Sequence, residues 1–398
     1  MKEKKIELNK GKILIGMSSH ARGEQSIESS GILDKNSKSA KKKVLVGMSG
    51  GVDSTVAAHL LQEEGYEVHG VFLDFWKSSG GDDDFQSAKK MAKSLGISLE
   101  RLDCRDEFKR KIVDEFIHDY KRGVTPNPCV ICNAEMKFDA LIREAGKRGV
   151  KMVATGHYSR LRKFTVNSSQ LTESVNCKLS TAYCLRVAKD KLKDQSYFLY
   201  RLKEEQLRRI IFPLGNYLKS EVKDIARKLK LEVVEKKESQ DVCFIPRNEI
   251  NEFLKKYIKD NPGNIIDTSG KTLGTHSGLH FYTIGQRRGI DIGGDGPYYV
   301  VEKDNKNNLL IVSNKGIFSK KSFFINKTNW IYKNIASPLK FKVKIRYKSV
   351  PVYAKIKRSK EGNDFYEIKL RESQRSITSG QSAVFYDRNC VIGGGIIV

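Results

Sequence analysis

The segment Ser49-Gly50-Gly51-Val52-Asp53-Ser54 follows the apolar run 44–46 after Gly47 and Met48 and opens the helix-compatible stretch 52–64. A buried strand that turns into a helix within two glycines is the first half of a βα crossover, the connection that parallel strands require. The glycines let the backbone turn tightly and approach an anion, and the helix start offers unpaired N–H groups and the positive end of its dipole. Ser49 and Ser54 add hydroxyl donors, so the segment is expected to cradle a phosphate. Asp53 is the candidate to position a metal ion or pyrophosphate, the alternative being a plain acid in a helix's first turn. No Gly-Lys-Ser/Thr follows, which disfavours a nucleotide-hydrolysing motor.

The alternation continues downstream. Strand-like runs at 44–46, 68–73 and 152–154 interleave with helical stretches at 52–64 and 135–147, which predicts an α/β domain with a doubly wound parallel sheet over 42–206. The helical, charged segment 203–229, the stretch 235–254 and the turn-rich 261–296 are expected to form a small middle domain, 207–295. From Pro297 onward come only short β-type runs (298–301, 309–312, 341–345, 352–356, 365–370, 383–385 and 390–398), the pattern of a C-terminal β-barrel over 296–398. A length of 398 residues accommodates such a division. Residues 1–41 are polar and aperiodic and are expected to be a disordered extension. Within them Lys12-Ile-Leu-Ile-Gly-Met-Ser18 nearly repeats Lys43-Val-Leu-Val-Gly-Met-Ser49, but it continues Ser-His-Ala and so lacks the phosphate chemistry. Glu3, Glu7, Glu24, Glu28 and Asp34 are too many acids for an organellar transit peptide.

Charge narrows the partner. Lys and Arg number 73 against 47 Asp and Glu, a net charge of +26, which favours a phosphate-rich polyanion and makes nucleic acid the first partner to consider; a merely soluble basic surface is the alternative. No apolar run approaches the roughly 18 residues of a membrane span. Seven cysteines, an odd number in a long chain, suggest a reducing compartment, the cytoplasm, without structural disulfides. Cys104, Cys177, Cys184 and Cys390 are expected to be small buried hydrophobes, and Asp82 to Asp84 a solvated charge run.

In Thr125-Pro126-Asn127-Pro128-Cys129-Val-Ile-Cys132, Asn127 suits a helix N-cap and Pro128 the first helical position. Cys129 and Cys132 then share a helix face, and near a helix N-terminus in a basic protein their thiolates are expected to be favoured. With these motifs, and with Ala154-Thr-Gly156-His157-Tyr158, Lys193-Asp194-Gln195-Ser196-Tyr197-Phe198, Asp241-Val-Cys243-Phe244-Ile245, Tyr282-Thr-Ile-Gly285-Gln286-Arg287-Arg288-Gly289, Arg346-Tyr347 and Gly380-Gln381-Ser382-Ala383-Val384, the sequence resembles the tRNA-specific 2-thiouridylases of the PP-loop ATP pyrophosphatase superfamily. The motifs spread over 43–398.

The resemblance implies ATP-dependent thiolation of the wobble uridine, position 34, of tRNA: adenylation of the uridine 2-oxygen, then sulfur transfer from a cysteine persulfide, giving 2-thiouridine, AMP and pyrophosphate. It makes Cys132 the nucleophile, Cys243 the persulfide carrier and Asp53 a third catalytic residue. ATP with Mg2+ would meet Gly47, Met48, Ser49, Gly50, Gly51, Val52, Asp53 and Ser54, with Leu73 and Gly156 beside the adenosine. Asn127, Pro128 and Cys129 would face the target base, and His157, Lys193, Asp194, Gln195, Arg346, Tyr347 and Gln381 the tRNA, expected to be the Lys, Glu and Gln acceptors. Sulfur would arrive from an upstream persulfide relay protein or a cysteine desulfurase, and the enzyme is expected to be a monomer. Many relatives carry Asp where this chain has Cys129. Cys129, Cys132 and Cys243 together suit three readings: persulfide and disulfide exchange, a labile [4Fe-4S] cluster with one open iron, or structural zinc, for which no fourth ligand is evident. No metal site is assigned. A ligase adenylating a small molecule is disfavoured by the two motif cysteines and the basic barrel, and a tRNA-binding protein with a decayed loop by the complete Ser-Gly-Gly-Val-Asp-Ser motif.

Overall fold

The computed structural model describes residues 41–76, 81–166, 180–231, 242–245, 249–293, 296–316, 319–331, 339–360, 362 and 364–398. The expected extension, save its last residue, lies outside them, as does Cys177.

Val44, Leu45 and Val46 are all fully buried, the mark of a central strand covered on both faces. This strand, β1 (Lys43–Gly47), pairs in parallel with β2 (Glu67–Asp74) on one side and β4 (Met152–Thr155) on the other. β3 (Ser98–Asp103) lies beyond β2, and β7 (Ile210–Ile211) beyond β4, giving the order β3-β2-β1-β4-β7. The order reverses between β1 and β4, so a crevice opens at their carboxyl ends, where open α/β sheets bind ligands. Helix α1 (Val52–Glu63) buries Val56, Ala57, Ala58 and Leu61 in one apolar layer with Val44, Val46, Val222 and Ala226, the last two from the helix Lys219–Lys228. The boundary expected at 206/207 thus falls inside this layer. A two-residue strand has no periodicity to read, and the charged helix after it hides its narrow apolar face.

A second sheet runs β10-β11-β8-β9, from β8 (Gly263–Asp267), β9 (Thr272–His276), β10 (Tyr299–Asp304) and β11 (Leu309–Ser313). It straddles the boundary expected at 295/296, because short alternating strands carry no sign of which sheet they join. The last six strands, β12 (Ser319–Trp330), β13 (Leu339–Lys344), β14 (Val352–Arg358), β15 (Tyr366–Arg375), β16 (Ser382–Asp387) and β17 (Cys390–Ile397), run β12-β15-β14-β13-β16-β17. β17 pairs back onto β12 and closes the barrel around Ile325, Phe341, Val343, Ile356, Ile368 and Phe385.

A hairpin from the first half of the chain, β5 (Arg160–Val166) and β6 (Ser180–Arg186), continues the barrel sheet by pairing β6 with β17 at Leu185↔Val391 and Arg186↔Cys390. Cys184 and Cys390 are disulfide-bonded there, with Cα atoms 6.0 Å apart. This corrects the expectation of two unpaired cysteines: strand pairing across 206 residues of sequence brings them together, and nothing local announces it. Tyr197 and Tyr200, fully buried, join the helix residues Phe138 and Leu141 to the barrel residues Val384 and Val391. Among the described residues no helix is long and apolar enough to cross a membrane.

Candidate nucleotide and thiol site

The loop after β1 is built by its own hydroxyls. Ser54 Oγ accepts from the Ser49 N–H at 3.2 Å and donates to the Gly51 carbonyl at 3.1 Å, while Thr55 Oγ1 donates to the same carbonyl at 2.9 Å. Gly47 ends β1 against Leu141, and Met48 is buried with its N–H on the Val71 carbonyl. Ser49 is exposed and Val52 half-buried. Gly50 has φ +77°, and a Cβ there would stand 2.8 Å from the Ala88 nitrogen and the Asp84 carbonyl oxygen, because α2 (Gly81–Ser94) closes over the loop. Gly51 caps α1 without any side chain, leaving the first N–H groups of that helix open to an anion. Leu73, near the end of β2, packs against two of the apolar clusters at once.

Asp53 projects from the first turn of α1. Lys219 Nζ lies 2.7 and 2.8 Å from its two oxygens, and the Tyr158 hydroxyl donates to it at 2.8 Å. Lys219 is nearly buried, its side chain 11% exposed, and its backbone N–H donates to Asp190. Sequence reasoning missed Lys219; a lysine at the start of a charged helix gives no signal until the fold sets it on the loop.

The turn after β4 serves two sides. A Cβ on Gly156 would lie 2.7 Å from the Ser54 nitrogen, so only glycine lets β4 pass this close to the cradle. The next residue, His157, faces the other way: its ring packs 5.6 Å from Phe138, and its Nδ1 lies 2.7 Å from Thr155 Oγ1. Burial, then the nearby Lys137 charge, hold His157 well below the ordinary histidine range, so it is neutral.

Phe138 belongs to the thiol segment. Pro128–Cys132 forms one helical turn, Asn133–Lys137 is a π-turn in which the Phe138 N–H reaches back to the Asn133 carbonyl, and the helix Phe138–Lys147 follows. Such π-turns recur at functional sites. Cys132 is buried, Cys129 half-buried and Cys243 exposed. The three lie close enough that charge on Cys243 is felt at both Cys129 and Cys132, and Lys137 is the cation all three sense. Burial pushes the Cys129 thiol up to about 11 and Cys132 to about 12, and the protein packed around Cys243 raises it as well although its surface is open to solvent. The expectation of favoured thiolates is therefore corrected: a five-residue helix has little dipole, and desolvation outweighs it and Lys137 together. Asn127 does occupy the N-cap, but its side chain makes no capping bond and turns to the Tyr197 hydroxyl. Pro128 is buried at the helix start. Among the described residues no three Cys, His, Asp or Glu side chains gather at metal-binding spacing, so the three cysteines as placed do not form a ligand set for a cluster or zinc. Cys104 is buried in an apolar core, as expected.

The residues expected against tRNA divide. Asp194 is buried, accepting from the Ala188 and Ser196 N–H groups and the Ser196 hydroxyl, and His157 is buried too, which leaves neither side chain a surface for nucleic acid in this conformation. Gln195 accepts from the Tyr158 N–H and so fixes the turn after β4. Tyr347 packs 4.6 Å from Phe198. Arg346 donates to the Ile284 and Ser376 carbonyls and Thr378 Oγ1, and Gln381 to the Thr125 and Pro126 carbonyls. Lys193 is half-buried in a turn ordered by Asp190, beside the 90% exposed Leu192. The outer barrel face is richer in exposed charge: Lys342, Lys355, Lys357 and Arg371 are exposed, as is Lys369, which pairs with Glu367 at 3.2 Å, and Lys342 Nζ lies 5.1 Å from the centre of the Tyr353 ring. Alternation of Lys with apolar residues in β13 and β14 is the signal that finds them.

Residues 42–247 match the family described as tRNA methyl transferase HUP domain, 251–314 a tRNA methyl transferase PRC-barrel domain and 320–397 an aminomethyltransferase beta-barrel domain. The chain is 40% identical over 370 residues to tRNA-specific 2-thiouridylase MnmA 2 of Clostridium tetani, covering 90% of this chain and 99% of that one. It is 42% identical over 369 residues to tRNA-specific 2-thiouridylase MnmA 1 of Caldanaerobacter subterraneus subsp. tengcongensis, covering 89% and 97%. Among solved structures, the U34-tRNA thiolase NcsA of Methanococcus maripaludis, with its [4Fe-4S] cluster, aligns at a TM-score of 0.32 and 21% identity over 54% of this chain and 63% of that one.

Proposed function

Because this chain belongs to the tRNA-specific 2-thiouridylases, we propose that it converts uridine 34 of tRNA to 2-thiouridine with consumption of ATP. The observation that supports this most is the turn Thr155 to Tyr158. One of its faces, through Gly156 and Tyr158, borders the phosphate cradle, and the other, through His157, borders the thiol segment, so a single substrate atom can be activated and then sulfurated.

The uridine 2-oxygen attacks the α-phosphorus of ATP and pyrophosphate departs, leaving an adenylate whose leaving group is AMP. Open N–H groups at the start of α1 receive the phosphates, and Lys219 supplies the cation that meets the developing charge. Asp53 is the carboxylate that would hold a Mg2+ ion brought by the ATP phosphates, and such an ion would screen their negative charge. Cys243, the exposed thiol, accepts sulfur as a persulfide from an upstream donor. Cys132 attacks the inner sulfur of that persulfide and releases hydrosulfide, forming a Cys132–Cys243 disulfide; hydrosulfide then displaces AMP from carbon 2, and a thiol reductant resets the pair. Burial keeps Cys132 protonated in the resting protein, which guards it from chance oxidation until substrate is bound. A wobble base in a single-stranded loop leaves its stack at little cost, and the basic barrel face holds the phosphates around it.

Purified protein, ATP, a persulfide donor and tRNA transcripts with Lys, Glu and Gln anticodons test the reading. It expects 2-thiouridine at position 34 by mass spectrometry and one pyrophosphate per modified base. Sulfur-free tRNA with no pyrophosphate release would overturn it.

A further inference from the structure

The loop that leads into the thiol helix is held by the far end of the chain. Thr125 N–H donates to the Ser379 carbonyl at 3.1 Å, and Gln381 Nε2 donates across 256 residues of sequence to the carbonyls of Thr125 at 2.9 Å and Pro126 at 3.4 Å. Between them Gly380, at φ +89°, lies so close that a Cβ would stand 2.3 Å from Val124 Cγ1 and 2.7 Å from the Thr125 oxygen. Next along, the Ser382 carbonyl accepts from the Tyr197 hydroxyl at 2.8 Å, the same hydroxyl that Asn127 reaches. Arg346 fixes this barrel loop from behind, with Nη2 at 2.9 Å from the Ser376 oxygen, 2.8 Å from Thr378 Oγ1 and 3.3 Å from the Ile284 oxygen.

The loop needs such support. Pro126 and Pro128 have no N–H to contribute, and the helix they introduce is a single turn that cannot hold its own start. The barrel answers by gripping backbone carbonyls rather than side chains, which fixes the path of the chain three to four residues before Cys129. We propose that Gln381 is a positioning residue for sulfur transfer: by holding the Thr125 and Pro126 carbonyls it sets where Cys129 and Cys132 stand relative to the bound base. Its amide nitrogen is spent on that grip, so its substitution acts on the rate from the bound complex rather than on tRNA affinity. The inference rests on the function proposed above.

The test compares wild type with Gln381→Met, which keeps the shape without a donor, and Gln381→Glu, which turns an acceptor toward two carbonyls. tRNA dissociation constants, single-turnover 2-thiouridine formation at saturating tRNA, and the rate of Cys132 alkylation by iodoacetamide are measured for each. The expected result is tRNA affinity within about twofold, a bound rate lowered roughly tenfold or more in Gln381→Met and further in Gln381→Glu, and faster alkylation as the loop loosens. If Gln381→Met unfolds, Gln381→Asn, whose amide is one methylene short of the carbonyls, is read the same way. Affinity weakened fivefold or more with an unchanged bound rate would make Gln381 a tRNA contact and overturn the proposal. So would a Gln381→Met protein equal to wild type in rate and alkylation. A wild-type protein that makes no 2-thiouridine defeats the functional reading instead, and alkylation alone then decides whether the grip exists.

Discussion

Lys219 Nζ sits 2.7 and 2.8 Å from the two carboxylate oxygens of Asp53, although 166 residues separate them in the chain. The pair ties the phosphate loop to the helix Lys219–Lys228, and Tyr158, 5.8 Å from the ammonium at its ring centre, braces it with a hydroxyl on the same carboxylate. A lysine resting on an acid beside open helix N–H groups is a cation held ready: an arriving phosphate competes for it, and the carboxylate keeps it in place until then.

Removing either partner should therefore strike the ATP half-reaction alone. Lys219→Met and Asp53→Ala are expected to lower pyrophosphate release by about 100-fold or more, the scale seen when a charge-stabilising donor is lost. Gel-shift affinity for tRNA should stay within a few-fold, since the basic barrel face is separate. Undiminished pyrophosphate release in Lys219→Met would take the lysine out of the reaction.

The cysteines should respond unequally. Persulfide and disulfide exchange requires two thiols, so Cys132→Ser and Cys243→Ser should abolish 2-thiouridine formation, whereas Cys129→Asp should retain substantial activity. Thiolation assays of aerobically purified protein with a persulfide donor make the comparison. Three equally dead variants, together with strict dependence on added iron, would replace the exchange scheme with a cluster.

Acid should loosen the fold through His157. Its folded-state value lies well below the ordinary 6.5, so the unfolded chain takes the proton first. The stability due to the neutral ring is fully present above about pH 6.5 and is lost as pH falls from there toward the depressed folded value. His276 and His280 are shifted the same way by burial. Melting temperatures from pH 7.5 to 5 should drop in wild type and drop less in His157→Asn, each kcal/mol moving Tm by roughly 2–4 °C. Parallel curves for the two proteins would clear His157 of the effect.

Salt should reveal which basic groups meet phosphate. Each neutralised phosphate contributes about 0.7–0.9 to the slope of log affinity against log salt. The double variant Lys342→Gln/Lys355→Gln on the exposed barrel face should therefore flatten the slope by roughly 1.4–1.8. Arg346→Ala should leave it alone, because that guanidinium is already engaged by Ile284, Ser376 and Thr378. Filter binding across a salt series decides, and a slope unchanged by the double variant would move the docking face elsewhere.

What was legible in the sequence was what local pattern encodes. The apolar run of β1, the Gly50-Gly51 turn and the start of α1 are contiguous, so the parallel sheet and its phosphate loop could be read directly. The alternation in the last hundred residues likewise marked β strands. It could not say that β10 and β11 join β8, that β5 and β6 extend the barrel, or that Cys184 meets Cys390, since those pairings are made across long stretches of chain. The thiols show the same limit from another side. Asn127-Pro128 correctly predicted a helix start at Pro128, yet the protonation of Cys132 is set by burial in the core that holds Phe244, Met136 and Phe116, which spacing does not report.

The hairpin β5–β6 precedes the middle of the chain but completes a sheet made at its end, and a disulfide fastens it to the last strand. The molecule cannot then be cut into exchangeable modules at the points where its sequence changes character. A fragment stopping near residue 247 would carry β6 with its edge unpaired, an open template for sticking to another copy, and a barrel expressed alone would lose the strand that shields β17. A recombination event that replaced the barrel would also have to replace a hairpin more than a hundred residues upstream, so this architecture favours descent of the whole chain as one unit over shuffling of its parts.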